Sequence, residues 1–260
     1  MKRKVIISSI ALLVVVSTVA MTGCSMFFDL LNNTGTTTEN RYTIDVTDLE
    51  GSSIAEIVAA NTINAAVLVY TDKATGAGFF VNEAGYVVTN SHVVAGGSSY
   101  YVKTVDGNEF ASVRLIAHNP DLDLAILKVN TTGKQFDYMT FNTSTGLRYG
   151  QTAFTIGNPS GKGILFAKAT IANPSLAVTG KPDEPYNSIY IDSNINHGNS
   201  GGALINADSK VIGVVYGRIE SSTDPNNVYG LGTAIPSDVA MKYLDDHSVK
   251  YYKVEPATEE

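Results

Sequence analysis

Residues 65–94 read AAVLVYTDKATGAGFFVNEAGYVVTNSHVV. Three short apolar runs, Ala65–Tyr70, Gly78–Val81 and Tyr86–Thr89, alternate with turn-forming residues, among them Asn82-Glu83-Ala84-Gly85. Runs this short, rich in Val, Phe and Tyr and bounded by Asn, Asp and Gly, predict strands joined by hairpins rather than helices. The pattern continues outward through Tyr100–Val105, Glu109–Ala117 and Leu124–Val129, with Asp106-Gly107 at one of the turns. After Thr131-Thr132-Gly133 a second series begins, with strands expected at Thr152–Ile156, Phe166–Ala172, Ile189–Asp192, Ala203–Ile205, Val211–Val215 and Val228–Ala234. Two sets of about six short strands predict an all-β protein of two six-stranded antiparallel barrels, at about 62–138 and 146–236.

Two helices are expected at the flanks. Ser53-Ile54-Ala55-Glu56 forms a capping box for a helix to about Ala60, and Ser237–Asp245 places Val239, Ala240, Tyr243 and Leu244 on one face. The globular part therefore spans 51–247, followed by an acidic tail over 248–260. Ahead of it, Lys2, Arg3 and Lys4 precede an apolar stretch from Val5 to Ala20, the layout of a secretory signal. That stretch ends at Met21-Thr22-Gly23-Cys24, and Cys24 is the single cysteine of the chain. The segment resembles a bacterial lipoprotein signal, which implies cleavage after residue 23 and lipid on Cys24. Residues 24–50 then read as a lipidated start and tether. An uncleaved membrane anchor is the alternative; either way the protein is exported and faces outside the cytoplasm, at a bacterial membrane or envelope.

With 260 residues, 44% apolar and 17% charged, the chain can bury a substantial core. Its net charge of −7 argues against a general nucleic-acid binder. Residues 1–23 hold three basic and no acidic side chains, so the processed chain is more acidic still and would not adhere to anionic headgroups without a lipid.

Three segments carry chemistry. Thr89-Asn90-Ser91-His92 puts a histidine just past a strand, Asp121-Leu122-Asp123-Leu124 puts an aspartate at the start of another, and Gly198-Asn199-Ser200-Gly201-Gly202 puts a serine in a glycine-rich turn. The order His, Asp, Ser is that of the chymotrypsin-type triad. A serine hydroxyl needs a base, histidine suits that role near neutrality, and a carboxylate fixes the histidine tautomer. Glycines beside Ser200 allow the backbone turn that aims amide N–H groups at a substrate carbonyl. His197 is read as a solvent-facing loop residue, His118 and His247 as surface groups, and Asp121 as a turn residue that rivals Asp123. Metal-ligand spacing is absent, so no metal or other cofactor is expected.

Residues from about 62 to 245 resemble the protease domain of the HtrA/Deg family of trypsin-like serine proteases. The matching text is Gly76-Ala77-Gly78-Phe79-Phe80, Thr89–Val94, Asp123–Val129, Ile156-Gly157-Asn158-Pro159, Gly198–Leu204 and Gly232–Pro236. The resemblance implies a chymotrypsin-like fold, with His92 as general base, Asp123 as its orienter, Ser200 as nucleophile, and an oxyanion hole from the N–H groups of Gly198 and Ser200. It also implies unfolded or damaged exported proteins and peptides as substrates. Trimers occur in the family, so homo-oligomerisation is open. Many members carry PDZ domains after the protease; the text after Pro236 is too short for one, so regulation by such a module in this chain is not expected. The residue six before the nucleophile, Asn194, is expected near the floor of the primary specificity pocket, with Val214, Val215 and Tyr216 as an apolar wall and small or medium apolar side chains as guests. Asp192 is taken as structural. A catalytically silent chaperone-like binder or scaffold on the same fold is the alternative function.

Overall fold

The computed structural model describes residues 52–130, 132–177, 185–193, 195–218 and 230–254. Cys24, the leader and tether, Asn194, most of the polar loop 216–229 and the tail from Glu255 lie outside these residues.

Helix α1 (Ile54–Thr62) opens the described chain with the expected capping box: the Glu56 amide donates to Ser53 Oγ at 3.4 Å and the Ser53 amide donates to Glu56 Oε2 at 2.7 Å. A single 3₁₀ turn, Ile63–Ala65, leads into the first sheet. Its strands are β1 (Ala66–Thr71), β2 (Thr75–Phe80), β3 (Tyr86–Thr89), β4 (Tyr100–Thr104), β5 (Glu109–Phe110), β6 (Val113–Asn119) and β7 (Leu124–Val129), with the one-turn helix α2 (Ser91–Val94) between β3 and β4. They pair antiparallel in the order β5-β4-β1-β2-β3-β7-β6. No ladder joins the two edges among the described residues, so this sheet curls into a half-barrel.

The second sheet holds β8 (Thr140–Phe141), β9 (Thr152–Gly157), β10 (Leu165–Leu176), β11 (Ser188–Asp192), β12 (Ala203–Asn206), β13 (Lys210–Arg218) and β14 (Leu231–Pro236), and α3 (Ser237–Asp246) follows it. Here β12 pairs with both β9 and β13, which closes β9 to β14 into a six-stranded antiparallel barrel. β8 is an added edge, parallel to β13.

Three details differ from the sequence reading. The single strand expected over Glu109–Ala117 is two, β5 and β6, broken where Ser112 turns its carbonyl to the Asn130 amide at 2.8 Å. β8 was not expected; its two residues are held by pairing to Lys210 and Val211 and by a bridge from Phe141 to Lys253. The stretch 248–254 is not a free tail. It runs back along β8, with Phe141 N donating to Tyr252 O and Val254 N to Phe141 O, both at 2.8 Å, while Asn82 Nδ2 donates to Lys250 O at 2.5 Å. Apolar Val249, Tyr251 and Tyr252 explain why this part of the chain docks.

Three buried clusters hold the fold. Val67, Val69, Phe80, Val87, Val102, Leu127 and neighbours fill the first barrel, and Ala169, Ile171, Ile189, Ile191, Leu204, Ile212 and neighbours fill the second. The third lies between the sheets and includes Phe79, Val88, Leu124, Ile126, Phe154, Ile156, Ala203 and Ile205. Period-two alternation decides which side chain goes where: along β7, Ala125, Leu127 and Val129 enter the first barrel while Leu124 and Ile126 enter the inter-barrel core. Burial on both faces is why these strands read as continuous apolar runs.

Candidate active site

The turn between β6 and β7 presents Asp123. Asn119 Oδ1 accepts the Asp121 and Leu122 amides at 2.9 and 3.1 Å, and the Asp123 amide donates to Pro120 O at 3.3 Å. Asp123 then takes φ +50°, a left-handed value unusual for a non-glycine residue. Its carbonyl accepts from Asn90 Nδ2 at 2.8 Å. That bond uses the Nδ2 donor of the residue preceding α2, and Asn90 makes no side-chain capping bond to its own helix. The Asp123 carboxylate takes over instead, accepting the His92 backbone amide at Oδ1, 2.9 Å.

The same carboxylate receives His92 Nδ1, at 2.8 Å to Oδ2 and 3.0 Å to Oδ1. An ionised carboxylate can only accept, so Nδ1 is the donor in this contact, and in the neutral ring the lone pair then lies on Nε2. The His92 side chain is 50% exposed and that of Asp123 18%, so the ring faces solvent while its partner is largely shielded.

Ser200 arrives from the second barrel. The Ala77 amide on β2 donates to Ser200 O at 2.8 Å, tying the serine turn to the half-barrel that holds His92 and Asp123. The next residues join β13: Gly201 N donates to Val215 O, and Val215 N to Gly202 O, each at 2.8 Å. Gly201 has φ +86°, and a Cβ there would lie 2.2 Å from Ala77 O, so only glycine fits between the barrels. The Ser200 hydroxyl donates to Tyr216 O at 3.3 Å, and no hydrogen bond joins it to His92 among the described residues.

Gly198 sits at φ +96° against the strand-to-turn segment after β9. Its carbonyl accepts the Asn158 amide at 3.1 Å, and His197 O accepts the Ser160 amide at 2.6 Å. These bonds hold the turn by its carbonyls. The Gly198 and Ser200 N–H groups have no acceptor among the described residues and remain available to a ligand oxygen.

Of the other titratable residues, His197 and Asp121 are exposed, and no bond joins Asp121 to His92 among the described residues. His118 is exposed, with Nδ1 3.0 Å from Ser91 Oγ, and His247 Nδ1 bonds Tyr243 O at 2.8 Å. Asp192 is exposed at the end of β11. Val214 is buried in the inter-barrel core and Val215 in the second barrel, so their side chains fill cores instead of lining an open wall. Tyr216 is nearly buried, with its hydroxyl 3.0 Å from Ser188 Oγ. Near Ser200, Val215 and Tyr216 offer their backbone carbonyls. Asn90 and Asn158 were not singled out as functional positions from sequence; their signal is position alone, flanking His92 and opening the turn that supports Gly198.

Residues 76–214, more than half of the chain, match the family described as "Trypsin-like peptidase domain". The chain belongs to the trypsin-like peptidase family. Relatives of this trypsin-like peptidase include a "Probable periplasmic serine endoprotease DegP-like" of Brucella suis biovar 1 (strain 1330), 35% identical over 172 residues that cover 66% of this chain and 32% of the relative. "Serine endoprotease DegS" of Salmonella typhimurium (strain 14028s / SGSC 2262) is 33% identical over 177 residues, covering 66% of this chain and 48% of that protein. Among solved structures, the HtrA-type protease AlgW with tripeptide is 30% identical with a TM-score of 0.66, covering 76% of this chain and 65% of the other. The serine endoprotease from Yersinia pestis is 27% identical with a TM-score of 0.61, covering 73% and 65%. The peptidase domain is thus of the HtrA type. The chain spans about a third of the length of the DegP-like relative and about half of the DegS relative.

Proposed function

We propose that this chain is a serine endopeptidase of HtrA type, in which Ser200 is the nucleophile, His92 the general base and Asp123 its orienter. The observation that carries this reading is the Asp123 carboxylate holding both the backbone and Nδ1 of His92, at 2.9 and 2.8 Å, in a frame hydrogen-bonded to the Ser200 carbonyl. In the reaction, the Ser200 hydroxyl swings from Tyr216 O to His92 Nε2. Nε2 takes its proton as Oγ bonds to the scissile carbonyl carbon, and the resulting oxyanion lies between the N–H groups of Gly198 and Ser200. Imidazolium then protonates the leaving amine, whose C–N bond breaks to leave an acyl-enzyme. Water enters by the same base to release the acid. Asp123 stays ionised and stabilises the charged ring.

The substrates are unfolded or damaged exported proteins and peptides. The periplasmic naming of the DegP-like relatives supports export, and the Met21-Thr22-Gly23-Cys24 text supports a lipid anchor on Cys24. The orientation of the Ser200 hydroxyl towards Tyr216 O favours a second reading, a silent chaperone-like binder on the same fold. Proteolysis of a denatured protein by wild type, Ser200→Ala and His92→Ala separates the two. The peptidase reading expects turnover by wild type and a loss of roughly a millionfold in either variant; a wild type with no turnover, or a purified Ser200→Ala that keeps it, overturns the reading.

A further inference from the structure

A non-glycine residue in the left-handed region is strained and persists only where its surroundings over-determine it. Asp123, at φ +50°, has both of its flanking peptide planes pinned by side chains from elsewhere. The plane after it is held through its own carbonyl by Asn90 Nδ2 at 2.8 Å. The plane before it is held through Leu122 O, which accepts from the Tyr186 hydroxyl at 3.1 Å. Rotation of that plane is what φ of Asp123 measures, so the Tyr186 bond acts on the torsion that aims the carboxylate. Tyr186 lies 64 residues along the chain, on the lead-in to β11 of the other barrel, and its half-buried ring packs against the inter-barrel core.

We propose that Tyr186 is a positioning residue for Asp123: the second barrel reaches across the interface and, through Leu122 O, fixes the carboxylate that orients His92. This rests on the reading of His92, Asp123 and Ser200 as the catalytic set. It makes the alignment of the general base depend on the docking of the two barrels, because the orienter and its clamp come from different sheets.

Tyr186→Phe tests this, since it keeps the ring in the core and removes the donor. Tyr190→Phe is the control: its hydroxyl also donates to a backbone carbonyl, Ala177 O at 3.3 Å, within the second barrel. Three quantities are compared in wild type and both variants: the low-field proton resonance of His92 Nδ1, the rate at which a fluorophosphonate modifies Ser200, and the melting temperature. Tyr186→Phe is expected to shift or broaden the Nδ1 resonance and slow modification about three- to tenfold, the loss that one net hydrogen bond allows. Tyr190→Phe is expected to leave both unchanged, whatever it does to melting. A Tyr186→Phe protein with wild-type resonance and rate, or a Tyr190→Phe protein with the same changes, overturns the proposal. If wild-type Ser200 does not react, the peptidase reading fails, while the Nδ1 resonance still decides the role of Tyr186.

Discussion

Replacing Gly198 by alanine puts a single methyl group where the backbone leaves no space. The added Cβ would lie 2.0 Å from Asn158 O, 3.0 Å from Asn158 C and 3.4 Å from Ser160 N, all backbone atoms. Ordinary contact begins near 3.4 Å, so one of the two segments must retreat by about 1.4 Å, with no flexible side-chain end to yield. That movement breaks or stretches the Asn158 N to Gly198 O bond at 3.1 Å and the Ser160 N to His197 O bond at 2.6 Å. It also carries the Gly198 N–H out of place by a distance that ruins a hydrogen bond to an oxyanion. Loss of one such donor costs about 10²–10³ in kcat, or about 2.7–4 kcal/mol. The φ of +96° adds a backbone penalty of about 1–2 kcal/mol for any residue with a Cβ, which falls on stability. Initial rates on a denatured protein substrate, with near-ultraviolet circular dichroism to confirm folding, give the comparison. A folded Gly198→Ala protein with kcat within about threefold of wild type would refute the assignment of this amide to the oxyanion site.

His197→Ala should change turnover by less than about threefold, because His197 is exposed and is held through its backbone; a loss approaching that of His92→Ala would give the loop histidine a chemical role. Stability should fall as pH drops from about 5 to about 3. The Ser53 hydroxyl and then its amide hold Glu56 below the usual carboxylate range, the Ser98 amide does so for Asp72, and at Asp106 desolvation pushes upward but is outweighed by hydrogen bonds led by the Thr104 hydroxyl. Carboxyls lowered in the fold contribute stability above their unfolded values, near 4, and lose it as pH falls through the folded ones; urea midpoints that stay constant across that range would contradict this. Cys24→Ser should release the protein from membranes or leave it unprocessed, and a soluble mature chain with unmodified Cys24 by mass spectrometry would defeat the lipid anchor. Cleavage-site profiling should show cuts after small or medium apolar residues, since Asn194 offers no carboxylate to a cationic guest; cuts mainly after Lys or Arg would reverse that.

Strands whose bounds are set by local turn chemistry were legible. β3 and β7 occupy the residues expected, because Gly85 and the Asn119-Pro120 turn mark where each begins. The strand expected over Val228–Ala234 has its described part at Leu231–Pro236, since pairing with β11 and β13 sets its far end. β8 and the 248–254 segment depend on partners far along the chain, Lys210, Val211 and Asn82, which no local pattern announces. At the site, the residue types that do chemistry stood out in order and spacing, and the structure joins His92 to Asp123 and ties Ser200 to the same frame. The supporting residues did not stand out. Asn90, Asn158 and Tyr186 hold backbone groups of other segments by hydrogen bonds, and such bonds leave no composition or period in the sequence. The direction of the β13 side chains was not legible either: β12 and β13 shift register near Gly213, and the alternation that sends Val211 and Ile212 to different cores slips there, placing Val214 in the inter-barrel core and Val215 in the barrel.

The most direct measurement is modification of the full chain by a fluorophosphonate, followed by peptide mapping of the adduct. It requires the nucleophile, the base and the oxyanion site at once. A single adduct on Ser200 is expected, abolished in His92→Ala and strongly slowed in Gly198→Ala. No adduct on wild-type protein that digests a denatured substrate, or an adduct on another residue that survives His92→Ala, would contradict it.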